Sequence, residues 1–81
     1  MRVLNYLPPE SISSMPRIVI YGSEKMLIEQ HKGLLTYDNH TVCIKLPGNS
    51  IHISGNQLRI HAYTRDSLQI HGNISKVEFD L

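Results

Sequence analysis

Five histidines in 81 residues are the side chains with the most evident capacity for chemistry. His52, His61 and His71 fall on the same parity of an alternating pattern, so two or three of them are placed to meet across neighbouring strands. Imidazoles so gathered can ligate a metal or titrate near neutral pH. The spacing speaks against a metal, because no H-x-H, H-E-x-x-H or mixed Cys/His pattern occurs. Cys43 lies between Val42 and Ile44, and a thiol becomes a nucleophile only with a base beside it, which the linear sequence does not name. It reads as a half-buried structural thiol. Ser11, Ser13 and Ser14 lie in a proline-flanked segment without a G-x-S-x-G elbow. Glu24, Glu29, Asp38, Asp66, Glu78 and Asp80 are spread singly, without an acid/base pair. The sequence therefore predicts no catalytic residue, no metal and no cofactor.

The composition narrows the partners. Eight Lys and Arg against seven Asp and Glu leave a formal charge of +1, too little for a stripe that would neutralise a run of phosphates. Tyr21, Tyr37 and Tyr63 are the residues that could stack bases on a single-strand-binding platform, but no basic residues interleave them. Nucleic acid is not the expected partner, and no small-molecule substrate is expected. The single cysteine excludes an internal disulfide and fits a reducing compartment. The start, Met1 to Met15, has one arginine and then Pro8-Pro9 where an apolar signal region would continue, and no run approaches a bilayer span. A chain of this length buries only roughly 60% of its unfolded surface, so its core is thin and association is favoured.

What must position these residues is a sheet. Turn residues recur at Gly22-Ser23, Lys32-Gly33, Asp38-Asn39, Pro47-Gly48-Asn49, Gly55-Asn56, Arg65-Asp66 and Gly72-Asn73. Apolar and polar residues alternate between most of them, which predicts about eight short strands. Ile51, Ile53, Leu58, Ile60, Ala62, Leu68 and Ile70 are assigned to a dry face, and His52, Gln57, Arg59, His61, Gln69 and His71 to a wet one. The stretch "IHISGN" and its near copy "LQIHGN" align with an offset of about 17 residues, and Gly22 and Asn39 extend the period backward. Such a period arises from equal hairpins in an antiparallel meander, or from a short β-solenoid. Two-residue turns cannot join parallel strands, which favours an all-β antiparallel meander folded into a small sandwich or partly open barrel. Gly55 and Gly72 read as turn glycines. Residues 1–15 are expected to form an N-terminal arm, loop or short helical turn, and residues 16–81 a single all-β domain.

The segment "MPRIVIYGSEKMLIEQHKGLLTYDNHTVCIKL" resembles the opening of the YqfC branch of the YabP/YqfC sporulation proteins. The resemblance rests on Pro16, Arg17, Ile18, Gly22, Ile28, Glu29, His31, Lys32, Gly33 and Tyr37. "IHISGNQLRIHAYTRDSLQIHGNISKVEF" is similar to the family's second half, so the match spans about residues 16 to 79. Gln30 stands where the family tends to Asn, and His61 where it tends to a further basic residue. The resemblance implies a non-enzymatic all-β protein that acts in the mother cell of an endospore-forming bacterium. It also implies cytoplasmic placement, peripheral to the forespore membrane, and a partner that is another, membrane-associated sporulation protein. Self-association through sheet edges is a further expectation, and a small nucleic-acid-binding β-barrel is the alternative. The best-matching stretch supplies the candidate partner-binding residues His31, Lys32, Gly33 and Tyr37, assigned to a hairpin rim where recognition usually sits.

Overall fold

A computed structural model describes residues 15–80 of the chain. The expected arm or helical turn before Met15 lies outside the described residues. The rest is strand: β1 (Arg17–Tyr21), β2 (Lys25–Glu29), β3 (Gly33–Tyr37), β4 (Thr41–Leu46), β5 (Asn49–Tyr63) and β6 (Ser67–Asp80). Every pairing is antiparallel, which excludes the solenoid. The strand order β1-β2-β6-β5-β4-β3 forms one open sheet, not closed into a barrel. The chain runs as a meander from β3 to β6. It departs from one between β2 and β3, because the free side of β2 is taken by β6, and β3 lies at the far edge beside β4. Lys32-Gly33 is therefore a crossover and not a hairpin turn.

Eight strand segments were expected and six strands form, because Gly55-Asn56 and Gly72-Asn73 bend β5 and β6 without ending them. The reason is pairing. The first half of β5 pairs with β4 and the second half of β6, whereas the second half of β5 pairs only with the first half of β6, which pairs on with β2. The register shifts between Ser54 and Gly55 and between Asn56 and Arg59, so that both strands turn together. Each half of the sheet thus has four strand segments. The two bends are held in matching fashion. The β1–β2 turn offers the carbonyls of Glu24 and Ser23 to the amides of Gly72 and Ile74, at 3.1 and 2.8 Å. The β3–β4 turn offers those of His40 and Asn39 to Gly55 and Leu58, at 3.0 and 2.9 Å. The repeat read in the sequence is this arrangement: two hairpins and two bent strands of nearly equal length.

The bend closes the core. Met26 and Ile28 of β2 share one buried cluster with Val42, Ile44 and Leu46 of β4, Ile51, Ile53 and Leu58 of β5, and Leu68 and Ile70 of β6. Strands spaced about 4.8 Å apart would hold β2 and β4 roughly 14 Å from each other in a flat sheet, so the shared cluster requires two facing layers. Most of the expected dry face is buried. Ala62 is exposed, because the register slips between Ile60 and Ala62 and turns it outward. The glycines at the bends are there for space. A Cβ on Gly72 would lie 2.8 Å from the Leu58 Cα, and one on Gly55 would collide with the Asn73 carbonyl.

Candidate functional site

His31, the centre of the predicted partner-binding stretch, is 3% exposed. Its Nδ1 accepts the amide of Gly33 at 3.0 Å, which places the ring proton on Nε2. Nε2 then donates to the Thr64 carbonyl at 3.1 Å. The ring also stacks on Tyr63, with centroids 5.4 Å apart. Adjacent main-chain bonds from Gln30 to Asp66 (2.6 Å) and from Lys32 to Lys45 (2.7 Å) fasten the same crossover to the β5–β6 turn and to β4. His31 thus pins the β2–β3 crossing from within. Lys32 is exposed, and Gly33 begins β3. Tyr37 stands at the other end of β3, its hydroxyl accepting the Ile60 amide at 3.3 Å and its ring half-exposed. The stretch is an edge strand and its approach, not a hairpin. The tyrosines considered for base stacking are dispersed: Tyr63 on His31, Tyr21 beneath the Lys25 ammonium at 5.3 Å, and Tyr37 on the β3 edge.

The structure makes two pairings that the linear reading did not. Cys43, buried rather than half-buried at 7% exposure, and His52 are cross-strand partners on the face opposite the core cluster, with Sγ 3.5 Å from Nε2. The signal for this was present: a two-residue turn at Pro47-Gly48 sets Leu46 opposite Asn49, and counting back sets Cys43 opposite His52. The Asp80 carboxylate approaches the same Nε2 at 3.9 Å. A hydrolytic relay needs the carboxylate on the opposite ring nitrogen, so this trio lacks that geometry. His61 and His71 form the second pairing, stacked with centroids 4.2 Å apart and 7° between planes. His52 does not join them, and among the described residues no three His, Cys, Asp or Glu side chains are grouped to hold a metal.

His71 lines a groove of about 660 Å³ at the bends of β5 and β6, and with His61 and Arg59 it also borders an adjoining hollow of about 360 Å³. Glu24 enters from the β1–β2 turn, Asn39 from the β3–β4 turn, Gln57 and Arg59 from the bend of β5, and His71 and Asn73 from that of β6. Burial, then His61, Lys25 and Arg59, hold the His71 imidazole below the ordinary histidine range, so the neutral ring is favoured. Asp38, at the start of the β3–β4 turn, accepts the amides of His40 and Thr41 at 2.8 Å each, and these hold its carboxyl below the usual carboxylate range.

An open, bent, six-stranded antiparallel sheet with a shallow groove at its bends defines a small all-β protein. The YabP family model matches residues 13–81, so the chain belongs to the YabP family. It is also 30% identical over 73 residues to a Bacillus subtilis (strain 168) protein described as uncharacterized protein YqfC, a match covering 90% of this chain and 78% of the relative. No solved structure matches it. The family points to a sporulation-related protein and has no enzymatic activity attached to it.

Proposed function

We propose that this chain acts in the mother cell during spore formation as a non-enzymatic interaction or assembly module near the forespore envelope. Its partner in this reading is another sporulation protein, which adds a strand to the outer edge of β6. The observation that carries the reading is that edge. Beyond Ile74 no described strand or turn bonds to the side of β6 facing away from β5, so a row of backbone groups is left for a partner strand. Phe79 on the same stretch is 51% exposed although it lies opposite the buried Ile51. An aromatic side chain on the inward parity but open to solvent is apolar area that a partner would cover. Family membership supports the sporulation setting. Cytoplasmic placement against a membrane is part of the proposal, and no helix among the described residues is long and apolar enough to cross one.

Phe79→Lys tests the edge, because a charge there opposes strand addition while a half-exposed position tolerates it in the free protein. In crosslinked pull-downs from sporulating cells, the variant is expected to lose the partner captured by the wild type while melting within a few degrees of it. Equal capture by both proteins sinks the edge reading.

A further inference from the structure

The bends of β5 and β6 gather cations. One rung of the sheet runs Tyr21, Lys25, His71, Arg59 across β1, β2, β6 and β5, and His61 stacks on His71. His71 therefore has Lys25 directly opposite on one side and Arg59 on the other, with side chains on the outward face within reach of one another. Among the described residues neither Lys25 nor Arg59 makes an ion pair, whereas Arg17 and Lys76 do. Glu24 is the carboxylate on the groove wall. The β3–β4 turn contributes only the uncharged Asn39 there. His71 Nε2 is also buried, with no hydrogen-bond partner among the described residues.

We infer that this groove is a binding site for an oxyanion of the phosphate or sulfate type, held by Arg59 and by His71 in its protonated form, with Lys25 adding its charge from the neighbouring strand. A guanidinium presents a planar fork of N–H donors to such a group, and an ammonium adds a point charge. The carboxamides of Asn39, Gln57 and Asn73 around the groove supply further N–H donors. In the free protein, burial, the neighbouring imidazole, Lys25 and Arg59 oppose protonation of His71. A bound dianion reverses that balance, so binding and proton uptake reinforce each other. Affinity accordingly rises as pH falls through the imidazole range. The site uses none of the β6 edge residues, so it stands or falls independently of the proposed partner strand.

Sulfate is the suitable probe, since its charge is constant across the range in question. His61 and His71 ring signals are followed by NMR during sulfate titration at about pH 7.5 and about pH 5.5, with chloride replaced at constant ionic strength. Saturable shifts in both rings are expected, with affinity several-fold higher at the lower pH, because the anion favours the protonated form of His71. Arg59→Gln is expected to abolish the response without moving the melting temperature, and Glu24→Gln to strengthen it. Shifts no larger than those with chloride, or a response that survives in Arg59→Gln, overturn the inference. Sedimentation with phosphatidylcholine vesicles, with and without phosphatidic acid, distinguishes the source. Binding that requires phosphatidic acid and is competed by sulfate makes the oxyanion a lipid headgroup. Absent vesicle binding, with the sulfate response intact, makes it a free ion.

Discussion

At the scale of single residues, the roles follow from how many neighbours compete for each polar atom. Both nitrogens of His31 are satisfied by main chain, and removing the ring leaves the Gly33 amide and the Thr64 carbonyl without it. His31→Ala is expected to cost about 1–3 kcal/mol. In a domain of this size that lowers the melting temperature by roughly 4–8 °C per kcal/mol. An unchanged melt would remove the crossover pin from this account. Gly72 is constrained by its backbone and by space together: its φ is 142°, and an added Cβ would lie 2.5 Å from the Gln57 carbonyl oxygen. Backbone cannot yield as a flexible side chain does, so Gly72→Ala is expected to destabilise by about 3 kcal/mol or more. Thermal melts showing a loss below about 1 kcal/mol would mean that the bend opens without strain.

Among the elements, the turns are more than connections, because those of β1–β2 and β3–β4 hold the bends through their carbonyls. Asp38 orders the second of them by accepting two amides, and those same bonds keep its carboxyl ionised below the ordinary range. A group whose pKa is depressed by folding contributes stability that is present above its unfolded pKa, about 3.9 for Asp, and is lost as pH falls through the lower folded value. Asp38→Asn retains an acceptor oxygen but removes the charge. It is expected to be less stable than wild type at about pH 6 and to converge with it in acid, as pH falls through the lowered folded value. A constant difference at every pH, measured by urea unfolding, would place the effect elsewhere than in the carboxylate. The Cys43–His52 contact belongs to this scale too, since it follows from the two-residue turn joining β4 to β5 and not from any local motif.

For the whole molecule, the described core is one thin apolar layer between two halves of one sheet, and no three His, Cys, Asp or Glu side chains among the described residues are grouped to hold a metal. Far-UV circular dichroism is therefore expected to show a strand-dominated spectrum that EDTA leaves unchanged, and melting on chelation would contradict it. Much of this was legible from residues alone. Alternation at Ile51, Ile53, Leu68 and Ile70 identifies the buried face, since side chains on a strand alternate whatever the strand pairs with. The spacing of Gly22, Asn39, Gly55 and Gly72 marks the four equal units for the same local reason. What no local pattern contains is which strand takes the free side of which. That β6 and not β3 lies beside β2 makes His31 a buried pin instead of a rim residue, and it joins the segments at Gly55 and Gly72 into bent strands. The same pairing brings Lys25, His71, Arg59 and His61, scattered over 47 residue numbers from 25 to 71, onto one surface. Alternation is a property of a strand by itself, whereas adjacency is decided by the pairing that buries the whole apolar layer at once.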